Sequence, residues 1–125
     1  MLGPAPEALA PAAVEDALCA LQWVGRNAKR YHFDLDKVVV TGASAGGHLA
    51  SLLALSNNNN VKEFYKDGIQ PSFKIKCALD FYGPSDLLVL ANNPDTAVNN
   101  NRNPVAMLLG AMQVDRPDLA KRASP

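Results

Sequence analysis

Histidine and cysteine are scarce in this chain of 125 residues, which contains two of each. Their positions show no Cys-x-x-Cys pair and no mixed cluster with the spacing of metal ligands, so we expect no metal site and no cofactor held through these side chains. We expect the two cysteines, Cys19 and Cys77, to be buried and unpaired, because each lies in an apolar stretch.

Long apolar runs and an excess of charge of one sign are also absent. No run approaches the roughly 18 to 20 residues that a transmembrane helix needs, so the sequence predicts no membrane span. Twelve basic residues balance twelve acidic ones, and the sequence pI is about 6.7. This balance gives no electrostatic reason to expect nucleic acid as a partner, and it leaves the oligomeric state open.

The pattern of apolar residues predicts an α/β fold. Helical spacing over residues 12–30 indicates an amphipathic helix, while residues 37–41 and 75–82 read as two strands covered on both faces. A glycine-rich turn over residues 42–47 leads into an Ala/Leu-rich buried helix over residues 48–55. This order of elements is typical of a parallel α/β sheet: a helix, a strand, a tight turn, a second helix and a second strand.

The remaining segments predict loops and short helices. Residues 56–72 and the asparagine-rich residues 92–103 are typical of surface loops. Short helices are predicted over three further segments, residues 87–90, 104–109 and 117–123. Two parallel strands alone make an incomplete sheet, so this pattern predicts the middle of a larger domain.

A G-x-S-x-G motif provides the candidate chemistry. Gly42, Ser44 and Gly46 stand directly after a predicted strand and before a predicted helix, the context in which this motif presents a nucleophile on a strained turn. We expect the glycines to leave room for strand and helix to approach, with Gly47 extending the small patch. The Ala45 N–H and the helix N-terminus can stabilise a developing oxyanion. The motif therefore predicts Ser44 as a catalytic nucleophile.

Four separated segments share this order with a known family. Together they resemble the esterase and lipase branch of the α/β-hydrolase superfamily, which includes feruloyl/acetyl-xylan-esterase-like and hormone-sensitive-lipase-like enzymes. The segments that carry the resemblance are residues 11–24, 34–38, 42–50 and 80–87.

Two residues of the motif distinguish subgroups of that superfamily. Hormone-sensitive-lipase-like members usually carry Asp and type-B carboxylesterases Glu where this chain has Ala43. Ala43 therefore favours the feruloyl/acetyl-esterase-like group. The prolyl-peptidase relatives carry a bulky aromatic residue at the position of Ala45, so this alanine argues against a peptidase.

The resemblance implies a serine esterase that forms an acyl-enzyme on Ser44. Its implied substrate is a small-molecule ester with a short acyl group, including acetylated or feruloylated carbohydrate. The triad of this superfamily runs Ser, acid, His along the chain, but no histidine follows His48. We expect His48 to be a packing residue and His32 a surface loop residue.

The resemblance also implies a partial domain. Residues 38–50 form the nucleophile elbow, and residues 85–125 contribute to the wall of the substrate pocket. The oxyanion loop before residue 1 and the acid and base after residue 125 are expected outside the chain, which alone should be inactive. Asp80 and Asp86 precede the strand that carries the acid in this family, and we expect Asp86 to cap a helix.

Two other functions fit the same residues. An amidase of the same fold, such as an aryl-formamidase-like hydrolase, uses the same elbow and the same tetrahedral intermediate. A non-catalytic hydrolase-fold protein could bind a small ligand instead. The intact Gly42, Ser44 and Gly46 argue against this second alternative, because a binding module has no need of a strained, exposed serine.

Overall fold

The computed structural model describes residues 8–59, 61, 64–91 and 103–125. Within these ranges a 3₁₀ turn at Leu35–Lys37 links the first helix to the first strand. The helices and strands follow one another as α1 (Ala12–Tyr31), β1 (Val39–Ala43), α2 (Ala45–Asn58), β2 (Cys77–Phe81), α3 (Leu87–Ala91), α4 (Pro104–Leu109) and α5 (Pro117–Arg122).

Helix α1 confirms the predicted amphipathic helix to within one residue at its end. Its apolar face is buried at Val14, Leu18 and Leu21. The helix ends at His32, whose left-handed backbone (φ 58°) turns the chain, and the His32 N–H donates to the carbonyl of Ala28. Spacing of apolar residues therefore sufficed to place this helix, because it packs one face against the core.

Strands β1 and β2 form a parallel pair, which confirms the predicted α/β class. Val39 lies opposite Cys77 and Ala43 opposite Phe81. Helix α2 connects the strands and packs against both of them and against α1. This crossover places the carboxyl end of β1, the start of α2 and the end of β2 side by side, as in other parallel βαβ units.

The prediction that both strands are covered on their two faces is wrong for this chain. All five residues of β2 are exposed, and β1 alternates between exposed and half-buried residues. Within the described residues the two strands pair only with each other, so the sheet is too narrow to shield them. For the same reason Cys77 is exposed rather than buried, whereas Cys19 is half-buried; both are unpaired, as expected.

The predicted boundaries around the motif also need correction. The expected turn over residues 42–47 contracts to Ser44 alone, because β1 continues to Ala43 and α2 already begins at Ala45. Helix α2 also extends to Asn58, beyond the predicted end at residue 55. Close packing of α2 on the sheet thus overrides the low helix propensity of glycine and asparagine.

The main core lies between α1, α2 and the segment that leads to β2. Its buried members are Val14, Leu18, Leu21, Leu52, Phe64, Tyr65, Phe73 and Ile75. Buried Asn57 holds that segment against α2, because its side chain donates to the Phe73 carbonyl (3.0 Å) and accepts from the Tyr65 hydroxyl (3.0 Å). Burial raises the pKa of Tyr65.

Polar contacts tie the same segment to α1. The buried Gln22 side chain donates to the Asp67 carboxylate (2.8 Å) and to the Ile69 carbonyl. The hydrogen bond from Gln22 holds the pKa of Asp67 below its ordinary value. Lys66 lies 3.1 Å from Asp16, and this hydrogen bond raises the pKa of the Lys66 ammonium.

A second cluster joins the three short helices. Leu87 of α3, Val105 and Leu109 of α4, and Ala120 of α5 form its buried members. The Asn103 side chain caps α4 by accepting from the Ala106 N–H (2.7 Å).

The short helices match the segments in which they were predicted. Gly110 ends α4 with φ 72°, the left-handed conformation that favours glycine. Beside α5, a two-point contact from Arg116 lowers the pKa of Asp118 to about 2. Most of the predicted asparagine-rich loop (residues 92–102) lies outside the described residues. In the part that the structure describes, no helix is long and apolar enough to cross a membrane.

Gln113 contrasts with Gln22. It is fully buried between α4 and α5, yet neither polar atom of its amide has a hydrogen-bond partner among the described residues. A buried amide without partners loses its hydration and gains nothing in return. This glutamine is therefore expected to destabilise the chain.

Replacing each glutamine by methionine should have opposite effects. We expect Gln113→Met to raise the free energy of unfolding by about 1 kcal/mol or more, because it removes an unpaired buried amide at similar volume. Gln22→Met should lower it by about 1–3 kcal/mol, because it leaves the Ile69 carbonyl unpaired. Urea denaturation of the 125-residue chain measures both, and equal destabilisation by the two changes would contradict this account of Gln113.

Candidate active site

Ser44 occupies the junction between β1 and α2 in a strained conformation. Its backbone has φ 54° and ψ −121°, a region that residues with a Cβ rarely adopt. Such a conformation costs about 1–3 kcal/mol and persists only where neighbouring contacts enforce it. Here the Ser44 N–H donates to the Phe81 carbonyl (2.9 Å), and its carbonyl accepts from the His48 N–H (3.1 Å).

The Ser44 side chain is exposed and makes no capping hydrogen bond to α2. A serine at a helix start ordinarily caps it, accepting from an N–H in the first turn. The turn at Ser44 instead leaves the hydroxyl clear of the helix. This is the orientation that an attacking nucleophile needs.

The glycines of the motif serve different purposes. A Cβ on Gly42 would collide with the backbone carbonyl group of Gly46, and a Cβ on Gly47 would collide with the Asp80 carboxylate. A Cβ on Gly46, in contrast, would meet no atom within 4 Å. The expectation that Gly46 must lack a side chain to leave room is therefore wrong for this chain, because β1 approaches the backbone of Gly46 and not its Cα hydrogens.

Ala45 is the first residue of α2, and it is exposed beside Ser44. An N–H in the first turn of a helix has no intrahelical acceptor, so the Ala45 N–H is available to an oxyanion. The first turn of α2 contains no acidic residue. No carboxylate within this turn therefore neutralises the partial positive charge that the helix dipole places at the start of α2.

Asp80 supports the junction, a role that the motif did not reveal. Asp80 lies opposite Gly42 in the parallel pairing of β1 and β2. Its carboxylate accepts hydrogen bonds from the Gly83 N–H (2.7 Å) and from the hydroxyl of Ser51 in α2 (2.8 Å). Asp80 thereby links the turn after β2 to the helix that begins at Ser44. An acidic residue on the strand that follows the G-x-S-x-G helix, with Gly83 three residues later, was the available sequence signal.

The two histidines lie where they were expected. His48 is buried, with 4% of its surface exposed, and its Nε2 is 2.6 Å from the Ala123 carbonyl oxygen. It thus joins the first turn of α2 to the end of α5. His32 is exposed at the end of α1. Neither imidazole makes a hydrogen bond to Ser44 within the described residues.

Asp86 caps α3, which confirms its predicted role. Its carboxylate accepts from the N–H groups of Leu88 and Val89, each at 2.9 Å. Among the described residues, no group of three or more His, Cys, Asp or Glu side chains could hold a metal ion.

Adding a methyl group at two glycines tests the close approach of β1 to α2. We expect Gly42→Ala to lower the free energy of unfolding by about 1–3 kcal/mol, because backbone must move to admit the Cβ. Gly46→Ala is the matched control and should be neutral or stabilise by up to about 1 kcal/mol, because its Cβ enters open space on a helix. Denaturant unfolding of both variants provides the measurement, and equal losses at the two positions would contradict the described contact.

Comparison with known proteins places this junction in a family. The BD-FAE family model matches residues 4–125. Esterase LipQ of Mycobacterium tuberculosis (strain ATCC 25618 / H37Rv) is 33% identical in an alignment of 125 positions, which covers 96% of this chain and 27% of LipQ. The chain therefore spans about a quarter of the length of this curated relative.

Two solved structures share the fold. A protein described as bifunctional GH43-CE, from Bacteroides eggerthii, superposes with a TM-score of 0.81 at 29% identity, covering 95% of this chain and 18% of that one. A truncated form of a carbohydrate esterase from gut microbiota gives a TM-score of 0.79 at 28% identity, covering 95% of this chain and 45% of that one. The chain belongs to the BD-FAE family and has the α/β-hydrolase fold of its esterase-like members.

Proposed function

We propose that this chain carries the nucleophile of a serine esterase and that Ser44 forms the acyl-enzyme. The observation that carries the proposal is the backbone of Ser44, held at φ 54° with its hydroxyl exposed and free of the helix cap. Strain of this kind needs support from surrounding contacts, and it is typical of functional sites. The esterase names of relatives such as LipQ support the same reaction.

In the proposed reaction, Ser44 Oγ attacks the carbonyl carbon of a carboxylic ester while its proton passes to a general base. The carbonyl oxygen becomes an oxyanion and accepts a hydrogen bond from the Ala45 N–H at the start of α2. Collapse of the tetrahedral intermediate breaks the bond to the alcohol oxygen, which receives the proton. Water then hydrolyses the acyl-enzyme by the same steps, releasing the carboxylic acid and free Ser44.

We propose that the general base and its acidic partner lie outside these 125 residues. His48 is unsuited to be the base, because its imidazole is buried, contacts the Ala123 carbonyl through Nε2, and makes no hydrogen bond to Ser44 among the described residues. Both oxygens of Asp80 are engaged by Gly83 and Ser51. The narrow sheet supports this view, because within the described residues β1 and β2 each have one unpaired edge at which a further strand can pair.

The proposed domain organisation follows from these contacts. Residues 38–50 form the nucleophile elbow, and the segment over residues 85–125 forms part of the pocket wall, since α5 reaches α2 through the contact between His48 and Ala123. The proposed substrates are esters of short acyl groups. The two carbohydrate-esterase neighbours support a carbohydrate as the alcohol portion.

Hydrolysis assays on a longer protein that contains this segment test the proposal. We expect Ser44→Ala to reduce kcat for p-nitrophenyl butyrate by at least about a thousandfold, because the covalent step is lost. Ser72→Ala, at an exposed loop serine, is the matched control and should leave kcat unchanged. Comparing the rates at which the longer protein hydrolyses an ester and a formanilide distinguishes an esterase from an amidase.

The 125-residue chain serves as a second control in the same assay. It should hydrolyse the ester no faster than its own Ser44→Ala variant, because it lacks the proposed base. Turnover by this chain that depends on Ser44 would contradict the proposed division of the machinery. Undiminished turnover in the longer Ser44→Ala protein would contradict the role of Ser44.

A further inference from the structure

An apolar cavity of about 220 Å³ lies beside the first turns of α2. Helix α1 forms one wall through Ala13 and Val14, and α4 and α5 form the facing wall through residues such as Leu109 and Leu119. Ala45 of α2, the residue that follows Ser44, is also part of the lining. The cavity therefore begins one residue from the proposed nucleophile.

The cavity lining is almost entirely hydrocarbon. Among the described lining residues, His48 and Arg122 alone have polar side-chain atoms. The His48 Nε2 already bonds to the Ala123 carbonyl, and the Arg122 residue is exposed. A hydroxylated group or a sugar would thus lose hydration in this cavity with few partners to replace it.

The volume of the cavity is larger than an acetyl group would fill. An apolar cavity of about 150 Å³ can hold benzene, so about 220 Å³ accommodates a hydrocarbon group of at least that volume. An acetyl methyl would leave most of the space empty. Contacts with the cavity walls would then be few, and apolar burial small.

The cavity is also placed to receive an acyl group. In the proposed tetrahedral intermediate, the carbonyl carbon is bonded to Ser44 Oγ and its oxygen faces the Ala45 N–H. Ala45, which follows Ser44 along the chain, lines the cavity, so the cavity wall reaches to within one residue of the serine that would carry the acyl group. This geometry links the cavity to the acyl side of the ester.

We propose that this cavity binds the acyl group of the substrate and selects an unsubstituted hydrocarbon chain longer than acetyl. The assignment rests on the proposed function, which it refines by naming the acyl class. Acetyl and hydroxylated aromatic acyl groups would both be poor occupants, the first for its size and the second for its polar substituents.

Binding of a neutral acyl analogue tests the assignment without any hydrolysis. Hexanamide and acetamide share one polar head and differ by four methylene groups. In nuclear magnetic resonance titrations of the isotope-labelled 125-residue chain, we expect hexanamide to bind at least about tenfold more tightly than acetamide. The backbone amide signals of Ala45, Leu49 and Leu109 should shift together. Coumaramide, a hydroxylated aromatic analogue, should bind more weakly than hexanamide.

Filling the cavity should abolish this preference. Ala13→Phe places a large side chain on the lining, and Ala20→Phe makes the same change on α1 two turns away, at an exposed residue outside the described lining. We expect at least about a tenfold loss of hexanamide affinity for Ala13→Phe and none for Ala20→Phe. Leu108→Trp, from the facing wall, provides a second filling variant should Ala13→Phe fail to fold.

The outcomes separate this assignment from the proposed function. Equal affinity for hexanamide and acetamide, tighter binding of coumaramide, or unchanged hexanamide affinity in the folded filling variants would overturn the cavity assignment. Ser44→Ala should keep hexanamide binding, because no bond is cleaved. Retained binding in a longer protein that hydrolyses no ester would contradict the proposed function and leave the cavity as an apolar binding site.

Discussion

The close approach of β1 to α2 at Gly42 is the constraint on which the rest of this structure depends. The strand and the helix are so near that Gly42 has no room for a Cβ against the backbone of Gly46. A chain that leaves β1 and starts α2 at once has a single residue in which to reverse direction. That residue is Ser44, and its φ of 54° is the consequence. Strain at the serine and exposure of its hydroxyl thus have one physical origin.

Other contacts keep this junction from relaxing. The Ser44 N–H is bound by the Phe81 carbonyl, so β2 holds the end of β1 in place. Asp80 binds the turn at Gly83 and the α2 residue Ser51 at the same time. His48 extends the linkage to α5 through the Ala123 carbonyl. The residues that support Ser44 therefore also hold the end of α5 against α2, which relates this part of the fold to the proposed pocket wall.

Much of this fold could be predicted from residue patterns, and the failures have identifiable physical causes. The apolar spacing of α1 is local and placed the helix correctly, because one face packs against the core. The predicted extent of the turn, residues 42–47, was wrong. The low helix propensity of glycine is a weak effect compared with the packing of α2 on the sheet, so the helix already begins at Ala45. The burial of β2 was also wrong, because burial depends on neighbouring strands that the described chain does not contain. The motif predicted Ser44 as the nucleophile, and this stays a prediction. Asp80 and the contact of His48 with Ala123 join distant residues and left little local signal.

Covalent labelling tests the central claim, that Ser44 is the nucleophile, most directly. A longer protein containing this segment would be treated with an alkyl fluorophosphonate and digested, and the modified residue located by tandem mass spectrometry. We expect the phosphonyl group on Ser44, in parallel with loss of ester hydrolysis, and no labelling of the same peptide in the Ser44→Ala variant. Modification of a different residue accompanied by the same loss of activity, or an active protein whose Ser44 remains unlabelled, would contradict this claim.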